Sequence, residues 1–170
     1  MSESPNETTP VEPPPLPTEA AVQPEYQGVR GWLLFFCISL TILGPLLTIA
    51  SLITGFGISP EALKEFPGLL VMMIIDAVLS LGIAGFGLYA GSKLWRIRPG
   101  AVLTAKQYLY CALVYHAIGL GLPWIAGLPP EDTKSMIVAN ARSAMRGLIH
   151  FAIWFSYLNK SKRVRATYTS

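Results

Sequence analysis

The sequence predicts an all-α polytopic membrane protein, with four transmembrane helices following a disordered N-terminal tail. Long apolar stretches occupy residues 31–52, 69–91, 108–125 and 137–158, the connections between them are short and polar, and Lys and Arg gather on alternate connections. A helix needs about 20 residues at about 1.5 Å each to cross a hydrocarbon core about 30 Å thick, and each stretch is close to that length. Helices of a soluble bundle need a polar face. From Trp32 to Ser51 there is no charged residue, and from Leu69 to Leu88 there is only Asp76. Such segments suit a solvent in which every backbone polar group must be satisfied within the helix.

Residues 1–27 form a unit apart from 28–168. The run Pro10-Val11-Glu12-Pro13-Pro14-Pro15-Leu16-Pro17 offers too little apolar surface to offset the entropy of ordering, which predicts an extended, disordered tail. Its acids are Glu3, Glu7, Glu12, Glu19 and Glu25, and it has no base. The rest of the chain is therefore more basic than the net charge of +3 indicates.

The first stretch is uninterrupted and preceded by Arg30. Before the second, Ser59-Pro60-Glu61 reads as a helix start, with Ser as cap, Pro at the first helical position and an acid near the positive end of the dipole; Pro67 then reads as a breaker. Within the second stretch Asp76, Ser80, Ala84, Gly87 and Gly91 share one helical face, a small-residue stripe suited to close packing against another helix or another copy. The third stretch follows Lys93, Arg96, Arg98 and Lys106 and carries His116, with Ala112 and Gly119 beside it. Pro129-Pro130-Glu131-Asp132 introduces the fourth, in which Arg142, Arg146 and His150 follow one another at single turns; Lys160, Lys162, Arg163 and Arg165 come after it.

Four crossings put Arg30, the basic residues between the second and third stretches and those after the fourth on one side. Basic residues favour the cytoplasmic face, so both termini are expected there.

Asp76 is the leading candidate residue, because an ionisable group in a spanning helix is costly and seldom faces lipid. It lies roughly 22 Å from Gly91, while Arg142 and Arg146 lie about 24 and 18 Å from Leu158. This coincidence of depth predicts an ion pair between Asp76 and Arg142 or Arg146, the alternative being a substrate or proton site. His116 and His150 are both placed near the bilayer centre and are expected to be packed between helices, with a proton relay or metal pair as the sharper alternative. Two histidines without a nearby acid make an incomplete metal site, and Cys37 and Cys111 read as small packing residues. The sequence lacks a His-Glu-x-x-His metal motif, a Gly-x-Ser-x-Gly nucleophile turn and a phosphate-cradling loop. The expectation is a protein that is not an enzyme, with no catalytic residue, metal or cofactor and no nucleic-acid partner.

Gly28-Val29-Arg30-Gly31-Trp32-Leu33-Leu34, the segment from Trp95-Arg96-Ile97-Arg98-Pro99-Gly100 to Val102 with Lys106 and Leu109 after it, and the stretch from Ile153 to Tyr168 resemble the bacterial family called domain of unknown function 2569. The resemblance covers roughly residues 26–168. Its most specific part is Trp-x-x-Tyr-x-x-x-Ser-x-Arg-Val, carried here by Trp154, Tyr157, Ser161, Arg163 and Val164; Phe155-Ser156 stands where a more apolar pair ending in Pro is expected. It implies a four-helix protein of the bacterial inner membrane and supplies no activity. Gly31 opens the first motif, and Trp32, Trp154 and Tyr157 read as aromatic anchors at the cytoplasmic interface. The leading expectation is a non-enzymatic structural or accessory protein that contacts the lipid bilayer and a membrane-protein partner or second copy. The alternative is a small oligomeric transporter or channel using Asp76 with Arg142 and Arg146, or with His116 and His150.

Overall fold

A computed structural model describes Val29, residues 31–55 and residues 59–168; the tail at 1–27 lies outside the described residues. All regular structure among the described residues is helical. A first rod comprises α1 (Trp32–Ile38), a π turn (Ser39–Leu43) and α2 (Gly44–Gly55). The short α3 (Pro60–Glu65) leads to α4 (Pro67–Trp95); α5 (Ala101–Gly121) runs into a 3-10 turn (Leu122–Ile125); α6 (Pro130–Lys160) and α7 (Lys162–Tyr168) complete the chain. Trp32–Thr54, Pro67–Trp95 and Ala101–Ile125 are long and apolar enough to cross a membrane. At 31 residues α6 is the longest helix, but Asn140, Arg142, Arg146 and His150 make it less apolar than those three.

The helix starts follow the punctuation of the sequence. Ser59 Oγ accepts from Ala62 N at 3.3 Å, and Glu61 lies in the first turn of α3. Pro67 ends α3 and also opens α4, because its missing N–H belongs to a turn where that donor has no helical partner. Pro130 opens α6, with Glu131 and Asp132 near the positive end of the dipole. The third helix starts earlier than the apolar pattern predicts, at Ala101 rather than 108. Gly100, at φ +73°, makes the tight turn out of α4, and Lys106 is tolerated within α5 because its amine reaches Asn159 Oδ1 at 2.7 Å.

The first rod, α4, α5 and α6 pack side by side in chain order, so α5 lies between α4 and α6. The buried core sits at one end of this layer. Leu33, Phe36, Cys37 and Leu40 meet Ala90 and Leu94 of α4, Ala101, Ala105 and Leu109 of α5, and Trp154 and Leu158 of α6. Trp154 stacks on Phe36 with ring centroids 4.5 Å apart. Ser161 accepts from Val164 N at 3.4 Å and starts α7, which returns Val164 to the core and lets Tyr168 Oη donate to Leu94 O at 2.7 Å. Burial pushes the Tyr168 phenol well above its ordinary pKa and keeps it a donor.

The small-residue stripe is an intramolecular packing face. A Cβ at Gly91 would meet the Thr41 side chain and Leu40 Cβ, and one at Gly87 would lie 3.1 Å from the Tyr108 ring. Thr41 sits in the π turn, donates to Cys37 O at 2.8 Å and accepts from Trp95 Nε1 at 3.4 Å. Elsewhere Ile42, Leu46, Ile53, Ile74, Val78 and Leu81 are exposed, as helices facing lipid require. Cys37 is in the core, whereas Cys111 is exposed and does not pack inside.

Gly91→Ala is expected to lower stability in detergent by on the order of 1–3 kcal/mol through overpacking. Nothing lies within 4 Å of a Cβ at Gly85. Gly85→Ala is expected to be neutral or stabilising by up to about 1 kcal/mol, since Ala favours the helix. Thermal unfolding of the two variants side by side checks the contrast.

Candidate functional site

Beyond the core, α4, α5 and α6 border two adjoining half-open cavities. One, of about 180 Å³, is lined by Met72, Met73, Asp76, Tyr115, His116, Asn140 and Ser143 among others. The second, of about 390 Å³, is lined by Ile83, Tyr108, His116, Arg146, Gly147 and His150 among others. Tyr115, His116 and Ser143 belong to both, so the two form one polar cleft.

Asp76 is half-buried on α4, and its Oδ1 accepts from Tyr115 Oη of α5 at 2.9 Å. No ion pair joins Asp76 to Arg142 or Arg146, contrary to the sequence expectation; among the described residues the ion pair found is the exposed Glu131–Lys134 contact at 3.9 Å. Matching depth sets only the height of a residue. Because α5 separates α4 from α6, the partner comes from α5. Both arginines lie exposed on α6, where Arg146 Nε donates to Arg142 O at 3.4 Å. Arg146 lines the cleft, and Arg142 does not.

The histidines differ. His116 is half-buried, with its ring directly over Gly147, whose missing side chain leaves the space the imidazole occupies. His150 is exposed at the cleft wall, 6.1 Å from the Trp154 ring, so the expectation that it is packed fails. The helix places it one turn from Trp154, on the flank of the buried seam. Among the described residues no three His, Cys, Asp or Glu side chains gather where they could hold a metal ion.

Sequence reasoning missed Tyr115 and Asn140. A tyrosine in an apolar stretch looks like filler, although its hydroxyl needs a partner when buried. Asn140 Nδ2 donates to Gly119 O at 2.7 Å and ties α6 to α5. An amide seven residues before Gly147, on the same helical face, was a usable signal for this contact.

The family-motif residues lie at the other end. Gly31 has φ +61° at the start of α1, a conformation that favours glycine. Trp32 is 68% exposed, as an interfacial aromatic would be, and Tyr157 is half-buried. Trp154 is 4% exposed and belongs to the core rather than to an interfacial belt. Ser161 and Val164 dock α7, and the Arg163 side chain lies outside what is described.

Chemically, the cleft offers a carboxylate oriented by one phenol, with lone pairs left for a further donor, beside two imidazoles and a guanidinium. That set can bind a proton or a small cation and relay protons between neighbouring groups. These features define an all-helical protein with helices suited to a membrane and a polar cleft among them. Residues 26–169 match the family model described as Protein of unknown function (DUF2569), and the chain belongs to this family. No curated protein and no solved structure matches it.

A double-mutant cycle is expected to couple Asp76→Asn with Tyr115→Phe by about 0.5–2 kcal/mol in unfolding measurements, the range seen for hydrogen bonds between membrane helices. Asp76→Asn and Arg146→Gln are expected to add without coupling.

Proposed function

We propose that the protein is a non-enzymatic, multi-pass protein of the bacterial inner membrane that binds a proton or small cation in its polar cleft and passes it along a route through the bilayer. In this reading α6 is the fourth span and both termini are cytoplasmic. Lys93, Arg96, Arg98, Lys106, Lys160, Lys162 and Arg165 all belong to the core end, which the positive-inside rule assigns to the cytoplasm. The cleft then opens in the outer half of the bilayer, and passage to the cytoplasm requires the Phe36–Trp154 stack to part.

The observation that carries this reading is the Asp76–Tyr115 hydrogen bond at the wall of a cavity that adjoins a second one. Asp76 has no ion-pair partner among the described residues and is held by a neutral phenol, which leaves acceptor capacity for a further donor. Four helices are few for a monomeric carrier, so the working form is an oligomer. A second reading, an accessory protein docked on a larger membrane partner, draws support from the exposed Trp32 and Phe35 beside Trp154.

Two experiments test the proposal. In a background lacking Cys37 and Cys111, Arg98→Cys is expected to react with a membrane-impermeant thiol reagent only from the cytoplasmic side, and Ala62→Cys and Asp132→Cys only from outside. In liposomes, proton or monovalent-cation flux is expected with the wild type and its loss to near background with Asp76→Asn, because an intramembrane acid is the group expected to carry an ion along such a path. Absence of flux, together with a stoichiometric heterologous partner after mild purification, would favour the accessory reading.

A further inference from the structure

The core end holds a separate, half-open cavity of about 300 Å³, bordered by the first two turns of α5, the end of α6 and α7. Ala101, Val102, Leu158 and Val164 contribute apolar wall, and Lys106 and Arg165 contribute positive charge. Asn159 holds both cations through neutral oxygens: its Oδ1 accepts from Lys106 Nζ at 2.7 Å, and its backbone O accepts from Arg165 Nη2 at 3.4 Å. Its own amide is fixed by donating to Phe155 O at 2.9 Å.

Among the described residues neither cation has an acidic partner. Residues 77–130 and 133–170 contain no Asp or Glu. Lys93, nearby, is likewise held by a neutral group, Thr104 Oγ1 at 3.1 Å. Arg96, Arg98, Lys160 and Lys162 add positive charge to the same end. Two like charges held on one cavity wall repel each other, and an anion between them would offset that repulsion. The first turn of α5 reinforces the preference: Gly100 supplies no side-chain cap, and the positive end of a 21-residue helix borders the cavity.

We propose that this cavity binds a phosphate-bearing anion, gripped by Lys106 and Arg165 and oriented through Asn159. Arginine can engage two phosphate oxygens at once while lysine supplies a compact charge. The phosphate can come from an anionic lipid headgroup, with its chains along the apolar wall, or from a soluble phosphate compound.

The test uses the full chain in nanodiscs, with bound lipid read by native mass spectrometry and soluble anion by calorimetry. Discs contain phosphatidylcholine alone or mixed with phosphatidylglycerol, and inorganic pyrophosphate is titrated into the phosphatidylcholine discs. Retention of phosphatidylglycerol over phosphatidylcholine identifies a lipid source; pyrophosphate binding in neutral discs identifies a soluble one. Either is expected to weaken by about tenfold or more in Lys106→Gln/Arg165→Gln, as loss of charge-assisted hydrogen bonds implies. Lys160→Gln/Lys162→Gln removes equal charge outside the cavity and is expected to leave binding within about twofold, a surface-charge effect. Arg165→Gln alone, at an exposed position, serves if the double variant does not fold. Equal losses in the two double variants, wild-type binding by Arg165→Gln, or no preference for either anion would overturn the proposal.

Discussion

The contact on which the rest of the structure depends is the stacking of Trp154 on Phe36, with ring centroids 4.5 Å apart. It joins the last long helix to the first across a layer in which chain neighbours otherwise pack side by side. Lipid tails provide no hydrophobic push between helices, so association in a membrane relies on dense contact and close backbone approach. This protein concentrates both at one end. The aromatic stack, the glycine contacts of α4 with Leu40 and Thr41, and the return of α7 through Val164 and Tyr168 all belong to the same cluster.

Away from that end, α5 governs the chemistry because it borders both α4 and α6. Consecutive residues on a helix point about 100° apart, so Tyr115 and His116 address different neighbours. Tyr115 takes Asp76 on α4, and His116 lies over Gly147 on α6. The cleft is the space between these contacts. Asp76 lies in the cleft, and the described residues that build the basic core end include no acid.

Much of the fold was legible because its causes are local. Apolar length marked three of the helices suited to a membrane, Ser59 and the prolines at 67 and 130 marked starts, and the spacing of Gly87 and Gly91 marked a packing face. The third helix began earlier than its apolar pattern because Lys106 finds Asn159, a partner on another helix that composition cannot reveal. The same limit explains the misplaced ion pair. Depth follows from counting residues, but lateral order does not, and α5 stood between Asp76 and the arginines. Trp154 reads as interfacial because tryptophans at helix ends usually are; here the return of α7 helps cover it. Arg142, Arg146 and His150 share one face of α6, and sequence periodicity does not show that this face is exposed.

Under the proposed function the bundle is sealed at its core end in this conformation, and water reaches the polar cleft. Ser143 lines both cavities and is exposed, whereas Cys37 is fully buried in the core. The direct measurement is the reaction of a small hydrophilic thiol reagent with Ser143→Cys in a Cys111→Ser background, with native Cys37 as the internal reference. Fast modification at position 143 with Cys37 unmodified in the folded protein is the expected result; equal inertness at the two positions would contradict the claim.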